Sequence, residues 1–142
     1  MYSDKNLVHI LTILEAVEKC FIFTGGFHDF NDFVWHNDQI NYNACISLLI
    51  AIGEETKNID NGLKDEFPVI NWKAVAGMRD VFAHNYRGID PEIVFDTIKQ
   101  NLNELKIVLI ESLNKIAFDK NMLTHALASD YYKHIGYLKN YF

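Results

Sequence analysis

Proline and cysteine are scarce in this 142-residue chain, with two of each. The prolines, Pro68 and Pro91, fall between predicted elements, so nothing breaks long helices from within. Cys20 and Cys45 have neither the short spacing of a zinc site nor the number of a disulfide framework. They read as small buried hydrophobes of a protein in a reducing cytoplasm. No apolar run is long enough to cross a membrane, because Glu15, Glu18 and Lys19 interrupt the first one. The polar start Met1-Tyr2-Ser3-Asp4-Lys5-Asn6 is not a signal peptide. There is no glycine-rich phosphate loop, so neither ATP binding by the chain itself nor a cofactor is expected. His28, Asp29, His36 and Asp38 lack the spacing of metal ligands, and no metal is expected. Positive charge is short as well: the net charge of −6 argues against nucleic-acid binding by bulk electrostatics.

What is present is apolar and aromatic residue, 49% and 13% of the chain, with 23% charged, as in an ordinary globular domain. The charge is unevenly spread. Phe30 to Glu66 carries seven acids and two lysines, a balance of −5. Trp72 to Gly88 carries Lys73, Arg79, Asp80 and Arg87, a balance of +2, and should attract an anionic ligand.

The apolar spacing is helical throughout. A first helix starts at Ser3 or Asp4, carries Leu7, Ile10, Leu11, Leu14, Val17 and Phe21, and stops at Gly25-Gly26. A second begins around Asp29–Asp32 and runs as one helix to Ile59, with Asn61-Gly62 ending or breaking it. Phe67-Pro68-Val69-Ile70 is an extended connector. Asn71 caps a third helix from Trp72 to about Tyr86, stopped by Gly88. Asp90-Pro91-Glu92 opens a fourth, whose stripe runs from Val94 to Ile116. A last helix is predicted from Asn121 to about Leu138. The fold class is all-α: an up-and-down bundle of four to five helices in one domain over 1–142, with 119–142 an extra C-terminal helix.

The third helix stands out. It is small or apolar on every side, which predicts burial, yet it carries Arg79, Asp80 and His84. Asp80 and His84 are one turn apart, so the carboxylate can accept a hydrogen bond from the imidazole and fix its tautomer. Arg79 stands roughly 140° around the axis from His84 and needs its full length, or a loosened last turn, to share a phosphate with it. Gly77 would allow another helix, from this chain or a second one, to approach closely. Such a group suits RNA transesterification. A histidine near neutral pKa moves the protons and an arginine stabilises the charged phosphate. One histidine is thin for two proton transfers, and a symmetric dimer would supply two. A lone Arg–Asp–His cluster is more commonly a structural hydrogen-bond network, and on the residues alone both readings stand.

The series Arg79, four residues, His84, one residue, Tyr86 resembles the motif of the HEPN superfamily, in its HepT toxin branch. Around it stand Ile52-Gly53-Glu54, Phe67-Pro68-x-Ile70-x-Trp72, Gly77-Met78-Arg79-Asp80, His84-Asn85-Tyr86, Gly88-Ile89-Asp90 and Val94-Phe95-Asp96-Thr97. The resemblance implies a dimerising helical bundle and a metal-independent endoribonuclease. It also implies the toxin of a type VII toxin–antitoxin pair. Arg79 and His84 match the catalytic residues, and Asp80 fills the usually polar position after the arginine. Tyr86 matches the tyrosine that a nucleotidyltransferase antitoxin adenylylates. The implied partners are RNA, that antitoxin and a second copy of the chain. The alternative is a non-catalytic module that serves the transferase as substrate. Two departures stand beside the match. Glu55 follows Glu54 where a small residue is expected, adding charge near the third helix. Residues 119–142 extend past the match and are rich in tyrosine, Tyr131, Tyr132, Tyr137 and Tyr141. They would form either a cover for the bundle or an aromatic surface for RNA bases or the partner.

Overall fold

The computed structural model describes residues 1–84 and 86–142, and Asn85 of the predicted third helix and motif lies outside the described residues. The fold is all-α, as the periodicity requires. Its helices are α1 (Lys5–Thr24), α2 (Phe30–Trp35), α3 (Ile40–Thr56), α4 (Asn61–Asp65), α5 (Trp72–Ala83), α6 (Pro91–Asp96), α7 (Leu102–Ser112) and α8 (Lys120–Leu127). A π-helical turn, Thr97–Asn101, joins α6 to α7.

The core follows the spacing read from sequence. Ile10, Leu11, Leu14 and Val17 of α1 are buried, as are Leu49 and Ile52 of α3 and Ile98, Leu102, Leu105 and Leu109 further on. α3 lies between α1 and α5, and α7 closes the far side of α1. Burial of such side chains, worth roughly 1.5–3 kcal/mol each, dominates the stability. Cys20 and Cys45 face one another inside it. Their mutual hydrogen bond, and then burial, push the Cys20 thiol far above its ordinary range, which keeps Cys20 a thiol.

Several caps are as expected. The Asn71 side chain accepts from Ala74 N and Asp90 from Glu92 N. α1 ends at Thr24, whose carbonyl accepts from Lys99 Nζ at 2.9 Å, and Gly26 then takes a φ of 84° that other residues rarely adopt.

Four expectations are corrected. The second helix is two, because Asn37, Asp38 and Gln39 adopt left-handed φ values of 50°, 55° and 67° between α2 and α3. Asn61-Gly62 does not end that helix, which stops at Thr56, but opens α4. α5 ends at Ala83, short of Tyr86, and Tyr86–Gly88 forms a separate 3-10 turn. The last helix stops at Leu127; beyond it the chain makes 3-10 turns at Asp130–Tyr132 and Gly136–Asn140.

Those last turns still cover the bundle. Ile135 and Leu138 are fully buried, and Glu15, itself buried in α1, accepts from His134 N at 2.8 Å and from His134 Nδ1 at 2.6 Å. Glu18 takes the Tyr137 hydroxyl and pairs with Lys106 Nζ at 2.9 Å. Of the four tail tyrosines, Tyr132 and Tyr137 pack on the bundle while Tyr131 and Tyr141 stand exposed.

Candidate active site

The site is built where α5 runs out. α5 is less buried than its composition suggests: Phe82 alone among its described residues is fully inside. Val75 and Met78 share its inner face, whereas Ala74, Asp80, Val81 and Ala83 are exposed. The expectation of all-round burial is therefore wrong within one chain. Alanine and glycine made the helix read as apolar, but among the described residues its outer face meets no neighbouring element. Gly77 illustrates this, since a Cβ there would have nothing within 4 Å.

The close approach comes instead from α3. A Cβ on Gly53 would lie 2.7 Å from Arg79 N and 3.1 Å from Ala76 O, which are backbone atoms. Gly53 is thus required for α3 and α5 to pack at this distance. That packing sets Glu54 beside Arg79, with Glu54 Oε1 2.8 Å from Arg79 Nε. Lys57 Nζ stands 3.4 Å from the same oxygen.

At the end of α5 the side chains of Arg79 and His84 meet. Arg79 Nη1 lies 3.0 Å from His84 Nε2 and 3.2 Å from Asp80 Oδ1. His84 is the C-cap of α5, still in the right-handed helical region at φ −89° and ψ −14° with its N–H on Asp80 O, and the long Arg79 side chain spans the distance to its imidazole. The expected Asp80–His84 hydrogen bond is not made. Asp80 Oδ1 is 3.7 Å from His84 Nε2, beyond hydrogen-bond length, and both atoms turn to the same Arg79 Nη1. A guanidinium has no lone pair to offer, so as a hydrogen bond this contact has Nη1 donating to Nε2 and calls for the Nδ1–H tautomer of His84. None of the three is buried; Arg79 is 37% exposed, so a phosphate can reach it from solvent.

Tyr86 sits past the helix end, 56% exposed, and its hydroxyl donates to Asn43 Oδ1 on α3. Tyr42 lies close by in the same cluster: burial, then the nearby Tyr86 and Asp90, raise its phenol above the usual value. Sequence reasoning missed both Asn43 and the role of Glu54 as Arg79's partner. It also placed Glu55 near the third helix, whereas Glu55 turns to α1 and accepts from His9 Nδ1 at 2.6 Å. With Glu54 and Asp80 both against Arg79, the positive balance of Trp72–Gly88 is largely offset at the site itself.

Among the described residues no three His, Cys, Asp or Glu side chains gather as a metal-binding group. Of the residues singled out for that role, Asp29 caps α2 and His36 packs edge-on against Phe27. No described helix is long and apolar enough to cross a membrane.

A helical bundle with Arg and His meeting at a helix C-terminus defines a class that comparison makes specific. The family model described as "Ribonuclease HepT-like" matches residues 13–126, and the chain belongs to that family. "Probable ribonuclease HepT" of Thermococcus cleftensis is 38% identical over 94 residues, 66% of this chain and 83% of that protein. "Putative RNase MJ1380" of Methanocaldococcus jannaschii is 34% identical over 94 residues, 66% of this chain and 84% of its own length. "Putative RNase TTE0752" of Caldanaerobacter subterraneus subsp. tengcongensis is 35% identical over 86 residues, 61% of this chain and 75% of its own. No solved structure matches the chain. The tail that Glu15 and Glu18 fasten to α1 lies mostly beyond residue 126, outside the family match.

Proposed function

We propose that this protein is a metal-independent endoribonuclease that cleaves RNA by transesterification, with Arg79 and His84 as its catalytic residues. The observation that carries the reading is the meeting of Arg79 Nη1 with His84 Nε2 at 3.0 Å in a HepT-like ribonuclease. Neutral His84 has its Nε2 lone pair available as a general base once an incoming phosphate draws the guanidinium away. The imidazole takes the proton of the RNA 2′-hydroxyl. The 2′-oxygen then forms a bond to phosphorus as the bond to the 5′-oxygen breaks. Arg79 stabilises the charge on the non-bridging oxygens. The leaving 5′-oxygen takes a proton from a second, protonated imidazole or from water, giving a 2′,3′-cyclic phosphate and a 5′-hydroxyl. Asp80 holds Arg79 from the other side.

Two proton transfers call for two acid–base groups, and a homodimer supplies a second His84. The open outer face of α5, with Gly77 and the exposed Val81, is the surface on which a second copy would dock.

The protein is further read as the toxin of a type VII toxin–antitoxin pair, neutralised when a cognate nucleotidyltransferase adenylylates Tyr86. The Tyr86 oxygen attacks the α-phosphorus of ATP, pyrophosphate leaves and the phenolic proton is lost. The hydroxyl is exposed enough to be reached, and the reaction ends its donation to Asn43. The added phosphodiester brings bulk and negative charge next to the 3-10 turn that follows His84, which opposes RNA phosphates. The test is cleavage of RNA by antitoxin-free protein in chelator, beside His84→Ala. Intact RNA with the unmodified dimer would leave the other reading, a non-catalytic module serving the transferase as substrate. The two carboxylates held against Arg79 are the observation that favours that second reading.

A further inference from the structure

Arginine offers five N–H groups, and here Nη1 is already engaged. It is shared between Asp80 at 3.2 Å and His84 at 3.0 Å, while Nε stands 2.8 Å from Glu54 Oε1 in an ion pair. Among the described residues no hydrogen bond is made by Nη2. The ion pair at Nε pins the guanidinium from the α3 side. Glu54 comes from α3, not from α5, and its place there follows from the contact that Gly53 allows. Its other ion-pair partner is Lys57 of the next helical turn.

We infer that Glu54 is a positioning residue for Arg79: by pairing with Nε it holds the guanidinium beside His84 and leaves Nη2 to meet the RNA phosphate. The inference rests on the ribonuclease reading above. It separates two properties of one side chain. The contact orients Arg79 and serves the chemical step, because a small misplacement of a catalytic group is costly in rate. The negative charge does not serve that step, since it stands close to where an anionic substrate must bind. Glu54 is half-exposed and its ion pair adds little to stability, so its loss is read in catalysis rather than in folding.

The experiment is steady-state cleavage of a fluorogenic RNA oligonucleotide by the full-length protein in chelator, comparing wild type, Glu54→Ala, Glu54→Gln and His84→Ala. Thermal melting of each variant is recorded alongside. Glu54→Ala should lower kcat about 10- to 100-fold at an unchanged melting temperature. Glu54→Gln keeps an oxygen of the same reach beside Nε and should restore kcat to within about 3-fold of wild type, with a lower KM because the charge is gone. Wild-type kcat in Glu54→Ala overturns the inference while the ribonuclease reading stands. So does a Glu54→Gln variant as slow as Glu54→Ala, which would mean that charge and not orientation matters. A wild type that cleaves no better than His84→Ala overturns the ribonuclease reading and this inference with it.

Discussion

Arg79 and His84 stand five positions apart on a helix that ends between them, and the guanidinium reaches the imidazole at 3.0 Å. On an ideal helix their side chains diverge by roughly 140°. The contact is spanned by the length of the Arg79 side chain, whose Nε stands 2.8 Å from Glu54 of α3. The pair is exposed, joined by direct hydrogen bonding, and flanked by two carboxylates.

The first expectation concerns that pair. Arg79→Ala and His84→Ala should each reduce RNA cleavage at least 100-fold, the loss typical of removing a charge-stabilising or proton-transfer group. Neither side chain is buried, so the melting temperature should stay within a few degrees of wild type. Cleavage and melting curves on the same preparations check both halves.

Gly53→Ala should behave in the opposite way. Its Cβ would lie 2.7 Å from a backbone nitrogen of α5, so one helix must move. Overpacking of this kind costs about 1–3 kcal/mol. Urea denaturation should show that loss, and cleavage should fall with it because Glu54 and Arg79 separate.

How much of this was legible in the sequence depends on whether the determinant was local. The Asp90-Pro91 start and the Asn71 cap are set by neighbouring residues and were read directly. The left-handed run at Asn37, Asp38 and Gln39 was not, because apolar spacing continues across it and Asn and Asp serve equally as helix caps. The predicted last helix failed at the Ser129 and Gly136 region for a similar reason: its apolar residues still point inward, but through 3-10 turns anchored by Glu15. The motif Arg79–His84–Tyr86 was visible as a series. Its partners Glu54 and Asn43 were not, since both come from α3, and Tyr86 and Asn43 are 43 positions apart. Pairing between helices is set by the Gly53 contact, which no local pattern encodes.

The tail anchor has its own signature. His134→Ala removes a partner from the buried Glu15 carboxylate, and a group left short of a hydrogen bond costs about 1–3 kcal/mol. Hydrogen exchange should quicken across residues 129–142 while the site at α5 keeps its protection.

Stability at alkaline pH follows from Tyr137. Burial first, and then the hydrogen bond to Glu18, raise its phenol well above the ordinary tyrosine value. The folded state therefore holds this proton more tightly than the unfolded chain. The contribution is complete below the unfolded value of about 10 and is lost as pH rises above it towards the folded one. Tyr42 acts in the same direction. Urea midpoints measured from pH 8 to pH 11 should fall for wild type, and Tyr137→Phe should fall less steeply.

The most direct measurement of the central claim is the chemistry of the RNA ends. Antitoxin-free protein, in excess chelator, is incubated with a labelled oligoribonucleotide, and the products are resolved by mass. The account expects 2′,3′-cyclic phosphate and 5′-hydroxyl ends, absent with His84→Ala and absent with an otherwise identical all-DNA strand. Intact RNA, or cleavage that persists unchanged in His84→Ala, would contradict it.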